Sequence, residues 1–328
     1  MRRRELVGGI AGSAIFWPID VLAQQRSPMR RMAVLMGTAQ SAQDEGYVSA
    51  LSLRLAELGW RAAVNLQIDV RWWKDGPDQM QPVAADLLAS SPDVVVVFTN
   101  LALAVLGPLA GKTPIVFVGV GDPIEDGFIS SLAHPGGTVT GFTSHDASMG
   151  GKWLQMLKEG CPSLARVTAI LHVETPVHRA FWQSLADAAP QFGIEAAPAA
   201  IHGAAEIENA MVSCATKENA GIVVFPHAVT LVNRDLIVAL SLRYRLPTMY
   251  AALGAARAGA LFSYSVDWEE SFRRTAEYVD RVLRGERPGD LPVQEPTKFR
   301  LSVNLKTARA IGVTVPDAFV IRADEVIE

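Results

Sequence analysis

Short apolar runs that end in a turn and lead into an apolar stripe at helical spacing recur through this chain. Few architectures accommodate that alternation. In the first half the strands read as Met32 to Met36, Ile68 to Trp73, Val94 to Phe98 and Ile115 to Val118. Between them, Tyr47, Val48, Leu51, Leu55 and Leu58 mark one helix, Val83, Ala84, Leu87 and Leu88 a second, and Leu101 to Ala110 a third. Val94 to Phe98 is apolar throughout, so it needs cover on both faces. Strand–helix alternation of this kind predicts a parallel sheet with helices packed on both sides.

The stretch Ile115 to Thr143 closes that first half. Its strand runs into Gly119, Gly121 and an Asp122-Pro123 corner, then a Pro135-Gly136-Gly137 turn and a second β-rich run, Thr138 to Thr143. The pattern restarts near residue 144. Helices are expected at Lys152 to Lys158, His178 to Phe192, Glu206 to Ala215, Leu231 to Tyr244, Glu269 to Arg284 and Thr307 to Ile311. Strands are expected at Val167 to His172, Ile194 to Ile201, Ile222 to Phe225, Thr248 to Ala251, Leu261 to Val266 and Phe299 to Val303. Each half holds about five strands. The simplest outcome is an α/β protein of two Rossmann-like lobes facing each other across a cleft; one large continuous sheet is the alternative.

The N-terminus reads as an export signal. Arg2 to Arg4 form a positive segment, Leu6 to Trp17 an apolar one, and Val21-Leu22-Ala23 a small-residue cleavage site, so residues 1–23 are expected to be removed. The apolar segment is shorter than the about 20 residues that span a bilayer. The paired arginines resemble a twin-arginine signal, with Leu6 where Phe is commoner. Pro28 to Arg31 follows as a leader. Cys161 and Cys214 are too few for a disulfide framework and read as two separate buried thiols, although an oxidising compartment would permit one bridge between them. The net charge of −4 gives no basic footprint, which argues against nucleic acid as a partner.

Enzymatic motifs come close and fail. Gly107 to Thr113 has three residues between its glycines where a phosphate loop has four, and it precedes a strand instead of following one. Gly119 and Gly121 lack a third glycine in register. His172-Val173-Glu174 has no Cys-x-x-Cys to complete a zinc site, and no Gly-x-Ser-x-Gly elbow is present. No metal, cofactor or catalytic residue is expected. What remains are polar residues at strand ends, where open α/β sheets place ligand contacts. In the first half these are Thr38, Ser41, Thr99, Asn100, Asp122 and Ser144. In the second they are Glu174, Thr175, His227, Thr230, Tyr264 and Asp267. Thr99-Asn100 opens a helix whose free N–H groups suit a carboxylate, and Asp122 and Asp267 could take an ammonium group from opposite sides. Trp72, Trp73 and Trp182 read as core; Tyr250 and Tyr264 read as candidates for stacking on a ligand.

Several longer segments carry a resemblance. They are VFVGVGDPI and SLAHPGGTVTG within 116–141, LPTMY at 246–250, AGALFSYSVDW at 258–268, the run from Glu277 to Pro316, and the final RADEVIE. In collinear order these resemble the exported substrate-binding proteins of ABC transporters whose studied members include tryptophan- and tyrosine-type binders. The resemblance implies a type I periplasmic-binding-protein fold with three crossings between lobes, residues 28–143 plus 267–297 forming one lobe and 144–266 plus 298–328 the other. It also implies a periplasmic monomer that captures a small amino acid or organic acid by lobe closure and delivers it to an inner-membrane permease. A ligand-sensing receptor subunit and an exported α/β enzyme are the alternatives. The family's site falls on the same strand-end corners. Two departures, the Ala/Gly-rich loop Ala251 to Ala256 and His227-Ala228, suggest a larger or more apolar pocket.

Overall fold

The structure, a computed structural model, describes residues 29–73, 77–144, 146 and 148–328. The expected export signal, Pro28 of the leader and residues 74–76 of the expected turn lie outside the described residues.

The first half folds as β1 (Arg30–Met36), α1 (Ala42–Glu57), β2 (Leu66–Trp72), α2 (Pro77–Ala89), β3 (Val94–Phe98), α3 (Asn100–Ala110), β4 (Ile115–Val120) and β5 (Val139–Thr143). Its strands form one all-parallel sheet in the order β2-β1-β3-β4-β5. The leader is shorter than expected, because Arg30 and Arg31 join β1. Asp93 holds them there, accepting from the Arg30 guanidinium at 2.6 Å and the Arg31 amide at 2.8 Å.

The second half continues as α4 (Met149–Gly160), β6 (Arg166–Leu171), α5 (Pro176–Ala188), β7 (Glu195–Ala200), α6 (Ala204–Ala215), β8 (Ala220–Val224), α7 (Ala228–Val232), α8 (Arg234–Tyr244), β9 (Thr248–Tyr250), β10 (Phe262–Val266), α9 (Trp268–Leu283), β11 (Phe299–Asn304), α10 (Leu305–Ile311), α11 (Asp317–Val320) and β12 (Glu325–Ile327). The second sheet has seven strands in the order β12-β11-β10-β9-β8-β6-β7, with only β10 and β11 antiparallel. Two separate sheets dispose of the single-sheet alternative. The helix expected over Leu231 to Tyr244 is interrupted at Asn233, whose side-chain amide donates to the Val229 carbonyl at 2.9 Å and whose own backbone leaves helical geometry.

Each sheet has apolar cores on both faces. Val34, Val96 and Val118 face α1 and α9, while Leu35, Val97 and Phe117 face α2 and α3. In the second lobe, Trp153, Phe181, Phe225 and Phe262 form one core and Ile170, Ile222, Ile237 and Tyr250 the other. Cys161 lies in the former and Cys214 in the latter, so both thiols are free and buried. Burial alone pushes the Cys161 thiol up to about 12.

Helix α9 decides how the lobes are joined. It follows a strand of the second sheet, yet Phe272, Ala276, Val279 and Leu283 pack into the first lobe's core. The chain therefore crosses between lobes three times: after β5, after β10 and ahead of β11.

Candidate ligand cleft

In both sheets the strands deliver their carboxyl ends to one cavity of about 660 Å³ between the lobes. That is the size range of sites for small organic molecules.

On the first lobe, Thr99 is the pivotal corner. It caps α3 with φ 89° and ψ 154°, a conformation that is strained for a β-branched residue. Its amide donates to the Val118 carbonyl at 3.1 Å, which ties the corner to β4. Gly37, after β1, makes room for it: a Cβ there would stand 2.1 Å from Thr99 Oγ1. The first turn of α3 leaves the amides of Asn100 and Leu101 without intrahelical acceptors, and both residues line the cavity. The Asn100 side chain is already engaged. Its Oδ1 accepts from the Gly121 amide at 2.8 Å, and its Nδ2 donates to Asp126 Oδ2 at 2.5 Å. Asp122 closes its own turn, with Oδ1 accepting from the Ile124 and Glu125 amides at 3.3 and 3.0 Å. Its second carboxylate oxygen has no partner among the described residues.

On the second lobe the loops after β6 and β8 supply the wall. Glu174 and Thr175 precede α5; the Glu174 side chain is exposed and lies 3.9 Å from His202 Nε2, while the Thr175 hydroxyl lies 3.3 Å from His172 Nδ1. His227 caps α7, its Nδ1 accepting from the Val229 amide at 3.2 Å, so the proton of the neutral ring sits on Nε2. Burial first, and the neighbouring His172 second, hold the His227 pKa below its ordinary value.

Eight of the twelve residues expected at the site thus line this cavity: Thr38, Thr99, Asn100, Asp122, Ser144, Glu174, Thr175 and His227. The other four do not, each for a local reason. Ser41 spends its hydroxyl on the Asp44 amide as the cap of α1. Thr230 is wholly buried, bridging the His227 amide and the Phe225 carbonyl. Tyr264 stacks on Phe299, and its carbonyl accepts from the Trp153 indole at 2.9 Å. Asp267 is 5% exposed, caps α9 through Glu270 and pairs with Lys298 at 3.2 Å in a separate charged hollow. Tyr250, the other stacking candidate, is fully buried with its hydroxyl on the Thr230 carbonyl. The Ala251 to Ala256 loop does not line the cavity either. Its alanines at 251, 255 and 256 are buried, and Leu253 packs against the first lobe's core.

Conversely, Trp73, expected in the core, lines the cavity, as do Leu101, Val177, Phe181 and Leu231. Leu101, Val177, Phe181 and Leu231 lie in α3, α5 and α7 and Trp73 follows β2, so spacing alone reads all five as core. The signal that finds them is position: each lies at the mouth of a strand or within the first turns of the helix after it.

Two parallel-sheet lobes that converge their strand-end loops on one cavity define a class of protein, a receptor that holds a small solute between its lobes. The family described as ABC transporter substrate binding protein matches residues 33–327, and the chain belongs to it. It is similar to a tyrosine-binding protein of Clostridioides difficile (strain R20291), with 24% identity over 270 residues, 82% of this chain and 76% of the relative. A conserved domain protein from Vibrio cholerae O1 superposes with a TM-score of 0.78 at 24% identity, covering 91% of this chain and 99% of that one. An ABC domain from Streptococcus pneumoniae in complex with L-Trp gives 0.78 at 22% identity with the same coverage. The fold is that of type I periplasmic binding proteins. The protein is a substrate-binding component of an ABC transporter, a family that works outside the cytoplasmic membrane with a membrane permease and is not an enzyme family.

Proposed function

We propose that the captured solute is an amino acid with an aromatic or otherwise apolar side chain. The observation that carries this is the charge inventory of the cleft. Asp122, Asp126 and Glu174 line it, while no lysine or arginine does among the described residues. A net-anionic organic acid would find three carboxylates and no cation, at Coulomb energies that disfavour it. A zwitterion fits better: its ammonium faces Asp122, its carboxylate the amides at the start of α3, and its side chain Leu101, Val177, Phe181 and Leu231. The tyrosine-binding relative and the tryptophan-bound neighbour support the same class.

In this reading Thr38, Thr99, Asn100, Asp122 and Ser144 contact the solute from one lobe, and Glu174, Thr175 and His227 from the other. Residues 28–143 with 267–297 form one moving body and 144–266 with 298–328 the other. The protein is an exported monomer, cleaved near Ala23, routed by its paired arginines, and it performs no chemistry on its solute. Isothermal titration calorimetry with L-tyrosine and L-tryptophan, against tyramine and 4-hydroxyphenylacetate, tests the ligand class. The amino acids are expected to bind, and the amine to bind more tightly than the acid. Tighter binding of the acid would overturn the reading.

A further inference from the structure

Four histidines converge behind the second lobe's half of the cleft. His172 and His227 stack with ring centroids 4.2 Å apart and planes 16° apart, His202 packs edge-on to His172, and His178 packs edge-on to His227. Of these, His178 is the innermost, with no exposed surface, between the rings of Phe181 and Phe225. Its two nitrogens have partners that cannot exchange roles. The amide of His172 can only donate, and it does so to Nδ1 at 2.9 Å. The carbonyl of Pro226 can only accept, and it lies 3.1 Å from Nε2. One obligate donor and one obligate acceptor specify the neutral ring with its proton on Nε2.

We propose that His178 is the positioning residue of this half of the cleft: one neutral imidazole that staples the end of β6 to the end of β8. The two loops it joins carry Glu174, Thr175 and Val177 on one side and Pro226, His227 and Ala228 on the other, all of which line the cavity. Thr175 makes no side-chain cap to α5. Besides the staple, the loop after β6 is held by turn bonds from the Thr175 amide to the His172 carbonyl and from the His178 amide to the Thr175 carbonyl, by the Thr175 hydroxyl against His172 Nδ1, and by the stack of His172 on His227. A second proton on His178 would turn Nδ1 into a donor facing the donor of His172, so the staple opens when the ring charges. The ring resists charging. Burial is the main reason its pKa is held down to about 4, the Pro226 carbonyl opposes that shift, and His227 at the cap of α7 and His172 just after β6, the titratable groups that face it, add to it. The staple therefore holds across the whole neutral and mildly acidic range.

The affinity part of this inference rests on the amino-acid reading of the cleft; the tautomer and the staple do not. Long-range ¹H–¹⁵N spectra of the wild-type protein are expected to show His178 as the Nε2–H tautomer, unchanged from pH 8 to pH 5, with a slowly exchanging His172 amide. His178→Phe keeps the ring volume and removes both bonds. It is expected to speed His172 amide exchange and to weaken L-tyrosine or L-tryptophan binding at least tenfold at pH 7.5. His178→Asn, which restores an acceptor near Nδ1, is expected to recover part of that loss. A proton on Nδ1, titration near the ordinary value, or wild-type affinity in His178→Phe would each overturn the proposal. If neither amino acid binds the wild type, the ligand reading fails, and the spectra and amide exchange still decide the role of His178.

Discussion

At the scale of single residues, the cleft is built from side chains already committed to the backbone. Asn100 braces Gly121, Asp122 closes a turn and His227 caps a helix, so each is fixed before a solute arrives. Asp122→Asn keeps the turn-closing oxygen and loses the charge. It is expected to weaken amino-acid binding at least tenfold, about 1.4 kcal/mol, with an unchanged melting temperature; calorimetry and thermal denaturation together check this. Gly37→Ala places a methyl against Thr99 and the Phe98 carbonyl, an overpacking that typically costs about 1–3 kcal/mol, and the expected outcome is a lower denaturation midpoint. His178 adds a pH dependence. Its folded pKa of about 4 lies below the ordinary 6.5, so within that window the unfolded chain binds a proton that the folded chain refuses. Its contribution is complete above 6.5 and is lost as pH falls toward 4, by up to about 1.4 kcal/mol per pH unit. Urea midpoints at pH 7 and pH 4.5 are expected to fall further for wild type than for His178→Phe.

Elements were legible in the sequence to different degrees. Apolar runs such as Val94 to Phe98 announced buried strands, and the corners after them led to Thr99, Asn100 and Asp122 in the cavity wall. The same corner logic misled at Asp267 and Ser41, because an Asp or Ser ahead of a helix caps it whether or not a ligand is near. Apolar cavity residues such as Phe181 stayed hidden because a helical stripe looks alike against a core and against a solute. Periodicity also shows that α9 is amphipathic but not which sheet it covers. Its Phe272 is fully buried beside Tyr47 and Phe98. Phe272→Ala is expected to cost about 3–5 kcal/mol, read as an earlier unfolding transition, and the loss belongs to the first lobe although the residue lies late in the chain.

At the scale of the molecule, two rigid sheets and three connecting segments allow the lobes to close on a solute that touches both. A solute shifts that equilibrium only by the difference in its affinity for the two states. Small-angle scattering with saturating L-tyrosine or L-tryptophan is expected to show a smaller radius of gyration than the free protein. An unchanged radius on binding would mean that capture does not proceed by closure. The placement of α9 has a further consequence, in the order of events during synthesis. Residues up to Thr143 complete a five-stranded sheet, but one face of it has only α1 for cover until α9 has been made. The second sheet in turn lacks β11 and β12 until the last residues emerge. Both lobes are therefore completed only late in synthesis, the first when α9 is made and the second when its last two strands emerge.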